Sequence, residues 1–100
     1  MVFNLSEPER KTLENDIIAR YSRWETLDDT AKLNLYGGEY APWTDGFLQN
    51  KVPQVEGYYC FYNKQSDEYE FPDGEQYSYN YIVAVYSKET GTLYIYGLDT

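Results

Sequence analysis

The stretch over 77–98, YSYNYIVAVYSKETGTLYIYGL, constrains the fold of this chain more than any other. Apolar and aromatic side chains occupy odd and even positions alike on both sides of the short SKETG segment. An extended run of this kind is typical of pleated strands, whose side chains alternate between two faces, and SKETG has the composition of a tight turn. Gly91 suits the left-handed position that closes a type I turn with a bulge. The stretch therefore predicts two long antiparallel strands joined as a hairpin.

The turn also predicts which residues face each other across this hairpin. If residues 89–91 form a three-residue loop, Val85 faces Ile95. In the same register, Tyr86 faces Tyr94. We expect the aliphatic face of the hairpin to form the core and the tyrosine-rich face to be partly solvated. The aliphatic set in this register is Val83, Val85, Leu93 and Ile95.

Two helices are predicted before the strands. Ser6 and Glu9 have the spacing of a capping box, and apolar residues recur at helical spacing after them, which predicts a helix over 7–24. The sequence TLDD and a later GG pair delimit a second, shorter helix over 27–36. The first helix carries mixed charges on its other face, which is typical of a solvated surface.

The remainder predicts an irregular segment and two further strands. Residues 39–55 lack periodicity, and their aromatic residues Trp43 and Phe47 are expected to anchor the loop to the core. In the alternative interpretation, Tyr40 and Trp43 are exposed residues that contact a partner. Strands are predicted over 57–63 and 68–71, with a turn over 64–67 between them. The fold class is therefore α+β, with two N-terminal helices followed by a four-stranded antiparallel β-meander and with helix one packed on the aliphatic sheet face.

Length, cysteine content and hydropathy predict a single soluble domain over 1–100 in the cytoplasm. Cys60 is the only cysteine, so an intrachain disulfide is excluded and a reducing compartment is favoured. The N-terminal residues lack a signal-peptide pattern, and no apolar run reaches the length of a membrane span. If the chain is encoded by a phage, this compartment is the host cytoplasm.

Several kinds of chemistry are excluded by residue types that the chain lacks. It has no histidine, so a serine or cysteine nucleophile has no imidazole base, and a structural zinc site has too few ligands. The carboxylates that begin at Asp67 do not match a calcium loop, because Tyr69 and Phe71 occupy positions that require oxygen ligands. We therefore predict a non-enzymatic protein without cofactor or metal.

The segment over 67–77, DEYEFPDGEQY, is the most informative surface feature. It combines five carboxylates with aromatic rings and has no basic residue. Strand alternation predicts that Glu68 and Glu70 lie on one side of the sheet edge and that Tyr69 and Phe71 lie on the other. Two interpretations are open: the charges protect an exposed strand edge from pairing, or they imitate nucleic-acid phosphates and fill a basic cleft.

The net charge of -9 favours a basic protein partner and disfavours direct binding to nucleic acid or to an anionic membrane. The leading hypothesis is a small inhibitor that occludes a nuclease or another nucleic-acid-handling effector, such as an immunity protein or a phage anti-defence or anti-CRISPR protein, in the manner of a DNA mimic. The predicted partner-binding residues are Asp67, Glu68, Tyr69, Glu70, Asp73, Glu75, Tyr77, Tyr94, Tyr96 and Trp43.

Two other classes of function use the same residues. In the first, the tyrosine face and the 39–55 loop enclose a pocket for a sugar-like small molecule. In the second, the chain is a structural or chaperone-like subunit whose aromatic face is covered by a permanent partner or by a second copy in a homodimer.

Overall fold

The described residues form a five-stranded antiparallel sheet with two helices, which is an α+β architecture. The computed structural model describes residues 1–19, 23–37, 46–49, 51–72 and 80–99. The elements in chain order are β1 (Val2–Asn4), α1 (Glu7–Ile18), β2 (Glu25–Thr26), α2 (Asp29–Tyr36), β3 (Gly57–Asn63), β4 (Asn80–Ser87) and β5 (Thr92–Asp99). The strand order across the sheet is β1-β5-β4-β3-β2.

The sheet differs from the predicted four-stranded meander at both edges. β1 precedes α1 and pairs with β5, and β2 lies between the helices and pairs with β3. These strands have three and two residues, too few to show a two-residue period in the sequence. The strand predicted over 68–71 was wrong: within the described part of that segment, the pairing is an isolated bridge between Glu68 and Asn63.

Both helix starts follow from capping, as predicted. The Ser6 hydroxyl accepts from the Glu9 amide at 3.4 Å, and the Glu9 carboxylate accepts from the Ser6 amide at 2.9 Å. These bonds hold the pKa of Glu9 below its usual value. α2 begins after Asp28, whose carboxylate accepts from the Ala31 amide at 2.9 Å, and it ends at Gly37, whose φ of 85° requires glycine. α1 ends at Ile18 rather than at residue 24.

The helix that packs into the main core is α2, whereas α1 has no buried residue. Ala31 and Leu35 are four residues apart on one face of α2, and Leu27, which precedes the helix, joins them in the same buried cluster. On α1, Arg10, Leu13 and Glu14 are each only half-buried. The buried cluster consists of Leu27, Ala31, Leu35, Tyr36, Phe47, Leu48, Val52, Tyr59, Phe61, Tyr81, Val83 and Val85.

The register predicted for the long hairpin was wrong by one residue. Val85 faces Tyr94 and Tyr86 faces Leu93, because the loop has four residues, 88–91, and Ser87 pairs with Thr92. A slip of one residue transfers every side chain of β5 to the other face of the sheet. The face that contacts α2, the core face, therefore carries Tyr59, Phe61, Tyr81, Val83, Val85, Tyr94, Tyr96 and Leu98. The outer face carries Tyr58, Cys60, Tyr62, Ile82, Ala84, Tyr86, Leu93 and Ile95.

α1 lies at the outer face, where Arg10 connects it to the hairpin turn. The Arg10 guanidinium donates to the Tyr86 hydroxyl at 3.4 Å and to the Lys88 carbonyl at 2.9 Å. Its side chain lies over Gly91, since a Cβ at that residue would be only 2.4 Å from the Arg10 Cδ. The Leu5 amide also donates to the Gly91 carbonyl at 3.0 Å. These contacts hold the N-terminal end of α1 on the sheet without burying the helix.

Tyrosine hydroxyls connect the loops to the sheet and to α2. The Tyr81 hydroxyl donates to the Phe47 carbonyl at 2.5 Å, and the Tyr36 hydroxyl donates to the Pro53 carbonyl at 3.0 Å. The Tyr59 hydroxyl donates to the carboxylate of Glu25 in β2 at 2.9 Å. A buried tyrosine thus contributes apolar area through its ring and a hydrogen bond through its tip. This use explains how a sheet of this size holds so many of the thirteen tyrosines.

We expect the free energy of unfolding to fall as the pH rises above about 10. Burial raises the pKa of Tyr36 to about 12, and burial also raises the pKa values of Tyr59 and Tyr81. A raised pKa means that the folded chain holds the proton more tightly than the unfolded chain. This stabilisation is therefore complete below the unfolded pKa and is lost as the pH rises through the folded pKa. Denaturant titrations over this range check the slope, which Tyr36→Phe should reduce; an equal slope in both proteins contradicts the assignment.

Candidate functional site

The site begins at a tight turn that follows β3. Residues 64–67 form the turn, as predicted, and the side chain of Asn63 organises it by accepting from the Gln65 amide at 3.1 Å. Asp67 has a positive φ of 56°, a conformation that aspartate tolerates better than most residues. The Asn63 amide then donates to the Glu68 carbonyl at 2.8 Å, so the returning chain lies beside β3.

The returning chain forms an exposed acidic edge, a name we use for Asp67, Glu68, Tyr69 and Glu70. All four side chains are exposed to solvent. Three carboxylates within four residues make the local electrostatic potential negative, and the hydrogen-bonded turn and bridge keep the backbone that carries them beside β3.

Tyr62 extends this edge onto the outer face of the sheet. Its hydroxyl donates to the carboxylate of Asp67, and this bond raises the pKa of the Tyr62 phenol. Its ring lies 5.0 Å from the ring of Tyr69, with 30° between the planes. The paired rings and the carboxylate together form a surface that offers both aromatic area and negative charge. Tyr62 was not among the predicted site residues. Because the predicted turn over 64–67 brings the chain back beside Tyr62, the sequence could have indicated its contact with Asp67.

The prediction that Tyr69 and Phe71 share one side was wrong. Tyr69 contacts Tyr62 on the outer face, whereas Phe71 lies 4.8 Å from the ring of Phe61 in the core. Phe71 also stacks on Phe47 at 5.6 Å. The segment does not continue as a strand after its single bridge, so the two-residue alternation does not apply to it.

Arg23 brings a positive charge to the acidic edge. Its guanidinium carbon lies 5.1 Å from the centre of the Tyr69 ring, which is a cation–π arrangement. Arg23 falls within the predicted first helix over 7–24, but that helix ends at Ile18. One guanidinium against three carboxylates leaves the edge negative.

The remaining predicted site residues do not join this cluster within the described part of the chain. Tyr94 and Tyr96 are half-buried on the core face of β5, and the Tyr96 hydroxyl donates to Gln49 at 3.1 Å. The acidic edge lies beyond β3, and Tyr62 is on the opposite face. Trp43, Asp73, Glu75 and Tyr77 lie outside the described residues. Partner binding by all six remains a prediction.

Among the described residues, the possible metal ligands are dispersed and the cysteine is half-buried. In the described ranges, His, Cys, Asp and Glu side chains form no group of three or more that could hold a metal ion. Cys60 is half-buried, and burial raises the pKa of its thiol, which favours the unreactive protonated form. None of the helices in the described part of the chain is long and apolar enough to cross a membrane.

Comparison with protein-family models, with curated proteins and with solved structures gives no match for this chain. The function is therefore inferred from the geometry and charge of the acidic edge.

Proposed function

We propose that this protein is a non-enzymatic inhibitor that occludes a basic, nucleic-acid-handling protein in the cytoplasm. The observation that carries the proposal is the exposed acidic edge, in which the Tyr69 ring contacts the tilted ring of Tyr62. In a cleft that binds nucleic acid, the carboxylates of this surface would take the place of the phosphates and the aromatic rings would take the place of the bases. The nuclease inhibitors, immunity proteins and phage anti-defence proteins named above are the specific forms that this class takes.

The charge of the edge supports fast association with such a partner. Asp67, Glu68 and Glu70 belong to a chain whose net charge is -9, so the electrostatic field attracts a basic protein from a distance. This attraction acts mainly on the association rate and weakens as salt screens it. We therefore expect the affinity for the partner to fall with rising ionic strength.

The two rings supply contact area that is already positioned. Tyr62 is held by its hydrogen bond to Asp67, and the Tyr69 ring contacts both the Tyr62 ring and the Arg23 guanidinium. Side chains that are held before binding lose less conformational entropy when a partner covers them. Tyrosine is also enriched among the residues that dominate binding energies. The sugar-binding and structural alternatives remain predictions that no described contact favours.

Charge reversal at the acidic edge tests the proposal. We expect Glu68→Lys combined with Glu70→Lys to weaken capture of the partner from the native host by at least about tenfold. The control variant, Glu7→Lys combined with Glu89→Lys, has the same net charge but changes exposed residues elsewhere. It should lose no more than about twofold, because it leaves the local field intact.

A competition experiment tests whether the acidic edge occupies the nucleic-acid-binding cleft of the partner. The captured protein should be released by an excess of duplex DNA or RNA, since both ligands require the same basic cleft. Undiminished capture by the variant at Glu68 and Glu70 would refute the proposed surface. A ternary complex of chain, partner and nucleic acid would refute occlusion.

A further inference from the structure

A second surface lies on the outer face, between α1 and β5. It is a groove of about 410 Å³ whose described lining is largely apolar. Its lining includes three leucines, Leu5, Leu13 and Leu93, and Glu9 and Asp16 supply its carboxylates. The other lining residues are Pro8 and Thr12.

The groove exists because α1 is attached to the sheet without being buried. Arg10 and the backbone of Leu5 hold the N-terminal part of the helix near the hairpin turn. Leu13 and Leu93 each remain only half-buried. Apolar side chains that line an open groove are typical of a surface that another molecule covers.

The charges around the groove indicate the chemistry of that molecule. The seven described lining residues include two carboxylates and no basic side chain. The part of α1 over 8–16 extends for about 12 Å, or roughly two helical turns. An α-helix with aliphatic residues at i, i+3 or i+4 and with lysine or arginine beside them matches this length, polarity and charge.

We propose that this groove docks a basic amphipathic helix of a protein partner. Aliphatic side chains of that helix contact Leu13 and Leu93, and its cationic side chains pair with Glu9 and Asp16. The inference goes beyond the proposed function, because it uses residues separate from the acidic edge and stands if the inhibitor proposal fails.

A synthetic probe tests the groove without knowledge of the natural partner. The probe is an amphipathic peptide of about 15 residues built from leucine and lysine, long enough to form a helix when it binds. Titrated into the isotopically labelled chain, it should shift the amide NMR signals of Thr12, Leu13 and Leu93. A matched peptide with glutamate in place of lysine should produce no such shifts, and equal binding of both peptides would overturn the proposal.

Two double variants distinguish binding of the peptide at the groove from attraction by the overall negative charge of the chain. Glu9→Gln with Asp16→Asn should weaken binding of the lysine peptide about fivefold, since it removes two ion pairs. Glutamine at residue 9 preserves the capping box. Asp67→Asn with Glu68→Gln removes the same charge from the acidic edge and should weaken binding by less than about twofold.

Three other results would overturn the inference. The first is equal weakening in both double variants, and the second is a set of shifts confined to the acidic edge. The third is a homodimer that buries the groove, detected by sedimentation of the free chain. Failure of the peptide to bind the groove, together with loss of partner capture in the variant at Glu68 and Glu70, would refute this inference and support the proposed function.

Discussion

Replacement of Phe47 by alanine should lower the free energy of unfolding by about 3–5 kcal/mol. The Phe47 side chain is only 2% exposed. Its ring meets the rings of Phe61 and Tyr81 edge-on, with centres 5.1 and 5.3 Å apart, and it stacks on Phe71. Truncation therefore removes the ring at the centre of an aromatic cluster and leaves a cavity that its rigid neighbours cannot fill.

Denaturant unfolding of Phe47→Ala measures this loss. The matched control is Tyr69→Ala, which truncates a ring of similar size that is 48% exposed. The control should lose about 1 kcal/mol or less, because its contacts with Tyr62 and Arg23 lie at the surface. Equal losses in the two variants would show that Phe47 does not anchor its loop to the core.

The sequence was sufficient to predict that Phe47 anchors its loop to the core. An aromatic residue in a long aperiodic segment has to be buried or has to serve a contact, and anchoring to the core was one of the two interpretations. The capping residues Ser6 and Asp28 and the strand Gly57–Asn63 were also predictable, because each depends on neighbours within a few positions. Such local signals do not require knowledge of the tertiary structure.

The register of the long hairpin was not predictable, for a physical reason. Register is normally selected by the contrast between an apolar face and a polar face. Here both faces are apolar or aromatic, since Ile82 and Ala84 alternate with Val83 and Val85. Gly91 adopts a positive φ of 69°, which suits either loop length. The pattern therefore could not distinguish a three-residue loop from the observed four-residue loop.

The candidate site was predictable in its charges but not in its aromatic contacts. The carboxylates of the acidic edge are adjacent in the sequence, so their cluster was visible there. Arg23 reaches Tyr69 from a segment more than forty positions earlier, next to the short pairing of Glu25 with Tyr59. A two-residue strand carries no sequence signal of its own. Contacts of this kind follow from tertiary structure alone.

Replacement of Gly57 by alanine should destabilise the fold by about 2–4 kcal/mol. Gly57 has a φ of 155°, and an added Cβ would lie 2.0 Å from the Tyr86 carbonyl oxygen. This oxygen belongs to the backbone of β4, so a side-chain rotation cannot relieve the clash. The Gly57 carbonyl also accepts from the Leu27 amide at 3.0 Å. A shift of Gly57 away from β4 would therefore disturb the start of α2 as well as the sheet.

The control for this prediction is Gly97→Ala in β5. An added Cβ at Gly97 would meet its nearest described atom, the Tyr81 carbonyl oxygen, at 3.6 Å, which is an ordinary contact. Alanine restricts the unfolded chain more than glycine does, so this variant should be unchanged or more stable by up to about 1 kcal/mol. Denaturant unfolding of both variants measures the difference. If Gly57→Ala were as stable as Gly97→Ala, the close approach of β3 to the Tyr86 carbonyl would be wrong, and with it the register of β3 on β4.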